Sequence, residues 1–192
     1  MLGLLSALRR DLETREGRYF LVEWLFRNAP GRFGSALRVL VLRRFFQRAG
    51  RGLRLPPGIR LIGVQHLSVG ENCTIGLDSV IQATGGVEIG DNVLLGPGVK
   101  IWSVNHVFAR TDQPITEQGF EHKKVVIGNG VWIGAQSFIM PGANLGDGVV
   151  VSAGSVVGGK DIEPYAIVAG NPARKIGSRG DRAAIAEEVL GG

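Results

Sequence analysis

An aliphatic residue returns every six positions through most of this 192-residue chain, usually with glycine directly behind it. The cleanest run is Ile127, Ile133, Ile139, Leu145, Val151 and Val157. An earlier run is Ile89, Leu95 and Ile101, preceded by Val69, Ile75 and Ile81. A period of six matches neither the helical turn of roughly 3.6 residues nor the alternation of a plain strand. It is the signature of a parallel β-helix built from hexapeptide repeats, each repeat one flat side plus one corner. Three repeats make a triangular coil. Residues eighteen apart should therefore stack, Ile127 on Leu145, Ile133 on Val151 and Ile139 on Val157. Small residues at the fifth position of the repeats, Ser79, Val93, Val99, Ser137, Ala143 and Ser155, fit the inside of the corners.

Thirty glycines are far more than the average usage of roughly 7%, and their periodic placement points to tight corners rather than a flexible linker. Cys73 is the only cysteine, so no intrachain disulfide is available. It occupies a small fifth position and reads as a buried structural thiol, with no basic neighbour to activate it. The start, MLGLLSALRR, has too short an apolar run for a signal peptide, with its charge after that run rather than before. No stretch approaches the roughly 18 apolar residues of a membrane span. The expected location is cytoplasmic. The net charge of +5 is uneven: residues 1–60 hold thirteen arginines against Asp11, Glu13, Glu16 and Glu23, which is +9 and leaves −4 for the rest. With no zinc-finger spacing, helix-turn-helix signal or aromatic-interleaved basic repeat, this distribution argues against nucleic acid as a partner.

Residues 1–52 read as a basic amphipathic α-helical extension, in two stretches separated by Asn28, Pro30 and Gly31. Two roles stand open for it. It could cover the end of the solenoid or pack against a neighbouring subunit, or it could rest on an anionic membrane surface. The β-helix is expected over 53–176, with Leu55, Ile59 and Ile62 as irregular lead-in residues. Its register slips by two at Ala83–Gly86, and a long loop at 102–126 interrupts the repeats. Residues 177–192 form a tail with a short helix expected over Asp181–Leu190.

From about Ile59 to Ile176 the sequence resembles the left-handed β-helix acyltransferases. Within them it is similar to the acetyl-CoA-dependent sugar and exopolysaccharide O-acetyltransferases. The strings VVIGNGVWIGAQSFIMPGANLGDGVVVSAGSVV (125–157) and DIEPYAIVAGNPARKI (161–176) carry the resemblance. It implies a left-handed helix, a homotrimer, acetyl-CoA as acyl donor and a sugar or glycan hydroxyl as acceptor. A sugar hydroxyl is a weak nucleophile and needs a general base, a task suited to histidine with its reference pKa of about 6.5. Of the three histidines, His106 in IWSVNHVF lies where the family keeps its catalytic histidine. His66 reads as structural or solvated, and His122 as an exposed loop residue or an acceptor contact. The resemblance further implies an oxyanion donor in the backbone N–H of Ala135. It places Trp132 near cofactor and acceptor, and the pantetheine arm along backbone near Ala135 and Ala153, in a groove between two subunits. Lys160 and Arg174 would meet the phosphates of coenzyme A, with Lys175 and Arg179 as weaker candidates. Asp78 and Asn105 are the candidates to orient His106.

Departures narrow the acceptor. The asparagine and acidic residues that maltose and galactoside acetyltransferases use to hold sugar fall here on Gly76, Ala83 and Thr84. The arginine-rich start instead resembles enzymes of polysaccharide and lipid-linked glycan biosynthesis. The alternatives are acetylation of an amino sugar or a xenobiotic, and a non-enzymatic β-helix scaffold. A zinc site of the γ-carbonic-anhydrase type fits poorly, because His106 and His122 are sixteen residues apart and His66 is forty upstream of His106. No metal is expected.

Overall fold

The structure, a computed structural model, describes residues 2–180. The expected helix at Asp181–Leu190 lies outside the described residues. The chain folds as a left-handed parallel β-helix of stacked triangular coils, preceded by three helices: α1 (Leu2–Glu13), α2 (Arg15–Phe26) and α3 (Gly31–Leu42).

The three faces of the prism are three parallel sheets. Sheet A stacks Arg48–Ala49, Leu67–Val69, Val87–Ile89, Val125–Ile127, Asn144–Leu145 and Asp161–Ile162. Sheet B stacks Leu94–Leu95, Trp132–Ile133, Val150–Val151 and Ala166–Gly170, then adds Ala173–Ser178 antiparallel. Sheet C stacks Arg60–Ile62, Val80–Gln82, Lys100–Trp102, Phe138–Ile139 and Val156–Val157. The register is the one the hexads require: Ile127 pairs with Leu145, Ile133 with Val151, and Ile139 with Val157. Each column is continuous and buried, and each buried aliphatic contributes roughly 1.5–3 kcal/mol. The second residue of many corners takes left-handed backbone, as at Asn92 (φ 57) and Gln136 (φ 59). That geometry accounts for the asparagine- and glycine-rich corners.

Stacking begins earlier than the sequence suggests, because Arg48–Ala49 already pairs with Ser68 and Val69. The lead-in is also more regular. Leu61, not Ile62, pairs with Ile81 in the core column, and Leu55 lies six residues before it. The two-residue slip at Ala83–Gly86 has a twin in the coil above, the short 3-10 turn Val64–His66. Both widen the corner between sheets C and A. The long excursion leaves from the same corner and is shorter than the expected 102–126. Trp102 still pairs with Gln82, Ser103 is buried, and Val125 rejoins sheet A opposite Val87. These three breaks in the period are thus stacked on one edge of the prism.

The helical segment is fastened by a buried arginine. Arg38 on α3 is fully buried. It donates from Nε to the Leu55 carbonyl (2.7 Å) and from Nη1 to those of Phe26, Arg27 and Ala29 (3.1, 3.2 and 2.6 Å). The last three belong to the end of α2 and the turn after it, where carbonyls lack helical partners and carry the negative end of the helix dipole. One guanidinium therefore ties α2, α3 and the first coil together, while Tyr19 packs edge-on against Phe45 at 5.5 Å. Arg38→Met should strand these carbonyls and lower stability by about 2 kcal/mol or more. Denaturant titration against wild type at one protein concentration checks this.

Candidate active site

The residues singled out from the sequence fall at two corners of the prism. At the corner joining sheets B and C lie Ala135 and Ala153, stacked one coil apart, the first directly after Gly134 and the second after Ser152. The equivalent position at the corner joining sheets A and B is closed by side chains. There the Glu71 N–H donates to Asp91 Oδ1 (2.7 Å), Asp91 N–H to Asn129 Oδ1 (2.8 Å), and Asn129 N–H to Asp147 Oδ1 (2.7 Å). Alanine has no oxygen to offer. Among the described residues the amide N–H groups of Ala135 and Ala153 have no protein acceptor. Unpaired backbone donors are uncommon where they are not solvated or reserved for a ligand.

These two amides line a groove of ≈ 870 Å³ that runs down the outer face of sheet B. Trp132, half exposed, and Val150, Ile167 and Ile176 form its apolar wall. Arg179 stands at its rim, with Nη1 donating to the Gly148 carbonyl (3.3 Å). The groove therefore offers an apolar wall, two open main-chain donors and one cation. The structure brings Trp132, Ala135 and Ala153 together as expected, and puts Arg179 ahead of the two cations favoured from the sequence. Lys160 lies at the corner joining sheets C and A, donating to the Ala173 carbonyl (3.3 Å), and lines a different depression with Glu163 and Lys175. Arg174 is exposed on the closing strand and is not part of the groove wall.

At the corner joining sheets C and A the excursion is a hairpin, Val104–His106 antiparallel to Phe120–His122. His106 is opposite Phe120, and their rings pack at 4.6 Å between centroids. Val104 is opposite His122. Cross-strand partners and residues two apart share a face of a strand pair, which puts His106 and His122 on the same face. Neither candidate to orient His106 meets its ring. Asn105 Oδ1 accepts from the His106 main-chain N–H (3.0 Å), and Asp78 belongs to the opposite corner, between sheets B and C. Phe120 is the ring's neighbour, a residue with no signal in the sequence beyond its place in the loop.

Beside the hairpin, the widened corner opens a cleft of ≈ 340 Å³ lined by Gln47, His66, Thr84, His122 and the Lys124–Glu88 ion pair (2.6 Å). His66 and His122, unrelated in sequence, meet here. Among the described residues no group of three or more His, Cys, Asp or Glu side chains is placed to hold a metal.

Comparison with known proteins agrees with this geometry. A family model described as bacterial transferase hexapeptide (six repeats) matches residues 124–159, and one described as hexapeptide repeat of succinyl-transferase matches residues 66–102. The galactoside O-acetyltransferase of Escherichia coli K12 is 32% identical over 143 residues, 74% of this chain and 68% of that protein. A chloramphenicol acetyltransferase of Agrobacterium fabrum is 56% identical over 61 residues, 32% of this chain and 29% of that protein. Among solved structures, a galactoside acetyltransferase in complex with coenzyme A superposes with a TM-score of 0.78 at 27% identity, covering 92% of this chain and 84% of that one. The chain belongs to the hexapeptide-repeat acetyltransferase family. It is an acyltransferase built on a left-handed β-helix.

The family's chemistry raises the question of a covalent acyl-enzyme, and Cys73 is the only thiol. It is fully buried, with Sγ near the Gly90 carbonyl (3.0 Å), and burial pushes its pKa upward. Both features oppose a thiolate nucleophile. Cys73 in the native protein should react with Ellman's reagent at least about a hundredfold more slowly than in denaturant, since labelling requires opening of the coil. Native labelling at the denatured rate would return Cys73 to the list of reactive groups.

Proposed function

We propose that this chain moves an acetyl group from acetyl-CoA to a sugar hydroxyl by direct transfer. The observation that carries the reading is the pair of open amides at Ala135 and Ala153 beside Trp132. They suit a thioester and an amide-rich pantetheine arm, and the structural relative bound to coenzyme A supports that donor. The galactoside O-acetyltransferase relative supports a sugar hydroxyl as acceptor.

In this reading His106 takes the proton from the acceptor hydroxyl as its oxygen attacks the acetyl carbonyl. The Ala135 N–H donates to the oxyanion that develops. As the C–S bond breaks, the imidazolium of His106 returns its proton to the leaving thiolate. A fixed main-chain donor is effective because it needs no reorganisation as charge develops. The cleft at Thr84, His66 and His122 takes the acceptor, since it opens on the face of the hairpin that carries His106. Arg179 serves the phosphates of coenzyme A, and Lys160 and Arg174 reach them only across a subunit contact.

The two halves sit at different edges of one prism, separated by the width of sheet C, roughly 15 Å at ~3.3 Å per residue. This separation supports a homotrimer in which the hairpin of one subunit faces the sheet-B groove of the next. The enzyme then works in the cytoplasm, at the membrane face where lipid-linked glycans for polysaccharide synthesis are held. The high local identity to a chloramphenicol acetyltransferase favours a second reading, acetylation of a xenobiotic hydroxyl by the same machinery.

Thiol release from acetyl-CoA across a panel of sugars, nucleotide sugars, amino sugars and chloramphenicol tests the acceptor class. His106→Ala should lower kcat/KM by about 10²–10⁴-fold. Activity near the wild-type level in that variant would overturn the mechanism. Ala135→Pro removes one N–H and should lower kcat by roughly 10²–10³-fold. The coil above already carries Pro97 at the stacked position, so the corner accepts proline.

A further inference from the structure

We propose that a cleft in the N-terminal helical segment binds the phosphate head of an anionic membrane lipid, seating the enzyme on a bilayer. The proposal deepens the membrane-face location above and is independent of the acetyl-transfer chemistry. The cleft, ≈ 540 Å³, lies between α1, α2 and the turn after α3. Its polar lining is three arginines, Arg15, Arg18 and Arg44, and its floor is Leu12, Leu21, Val22 and Phe45.

Three arginines line this cleft, and among the described residues no carboxylate does. Arg15 donates to the main-chain carbonyls of Arg44 and Phe45 (3.3 and 3.0 Å), and Arg18 to that of Leu12 (2.9 Å). Arg44 lies over the Phe45 ring, 5.2 Å from its centroid. Of the nearby acids, Glu13 pairs with Arg9, and Glu16 lines an adjoining depression that shares Arg15 and Phe45 with the cleft, leaving Arg18 and Arg44 as the cations of the cleft alone. Each arginine keeps donors to spare, and like charges held together are relieved by an anion. Inorganic phosphate would satisfy the charges but leave the apolar floor unused. A lipid offers both a phosphate and the first methylenes of its chains.

The exposed residues of the same three helices fit the same partner. α2 exposes Trp24 (72%) and α3 exposes Phe33 (78%), and α1 presents Leu5, Leu8 and Leu12 at helical spacing to solvent. Exposed aromatics interleaved with arginine are the composition of an interfacial helix. A second copy of the chain is a poor occupant, because it would set one arginine-rich segment, +9 over residues 1–60, against another.

The test is flotation of the full chain with vesicles of phosphatidylcholine alone and of phosphatidylcholine with phosphatidylglycerol. Wild type should float only with the anionic vesicles and release at high salt. Arg18→Gln/Arg44→Gln should weaken partitioning roughly thirtyfold, the effect of two charges near an anionic surface. Arg15 is left intact because it also ties α2 to the turn. This variant should keep wild-type thermal unfolding and wild-type turnover of acetyl-CoA with a soluble acceptor, which separates failure here from failure of the catalytic reading. Equal flotation with both vesicles, salt-insensitive binding, or wild-type flotation by the variant would overturn the proposal. So would displacement by inorganic phosphate at matched ionic strength, which would make the cleft a free-phosphate site. Absence of flotation together with a changed oligomeric state in Trp24→Ser would assign the surface to a subunit contact instead.

Discussion

The stacking of aliphatic columns inside the prism is the constraint on which everything else depends. Each inward residue must lie over its counterpart one coil away, so the three sheets share one register and no side can shift alone. The flat sides are therefore uniform, and only the corners remain free to vary. Corners are also where the backbone turns away from the ladder and leaves donors without sheet partners. A fold governed by its sides thus concentrates its chemistry at its edges.

The three edges are used differently. One is closed by a ladder of Asp and Asn side chains that consume the corner amides. One is left open at Ala135 and Ala153, whose amides face a groove walled by Trp132 and Ile176. The third absorbs every insertion, from the two-residue widenings to the hairpin that carries His106. An insertion at an edge disturbs no column, which is why an excursion can carry a histidine, an aromatic neighbour and a cleft without loss of the core.

The sequence made the fold legible where the period was strict. Columns from Ile127 to Val157 could be paired by counting, and the groove residues Trp132, Ala135 and Ala153 came together as the motif implied. Legibility failed where it depended on which corner a residue occupied. Lys160 lies at a different edge from the groove of its own chain and Asp78 at a different edge from its own His106, and nothing in a hexad states which of three corners it will form. The widening at Val64–His66 was hidden because Leu61 and Ile62 are both aliphatic and the wrong one looked like the repeat. Phe120 against His106 depends on the pairing of a hairpin whose two strands are far apart in sequence. The open amide of Ala135 was readable in principle, since Asp or Asn follows Gly90, Gly128 and Gly146 at one corner and Ala follows Gly134 at the next.

Separation of the two halves of the site makes the central claim a statement about assembly: His106 of one chain works with Ala135 of another. Co-expression of His106→Ala chains with Ala135→Pro chains tests it most directly. If the site is shared, mixed assemblies should recover about a quarter of wild-type activity, the share of contacts that unite two intact halves in a cyclic assembly of equal parts. If the mixture is as inactive as either variant alone, both halves act within one chain and the account is wrong.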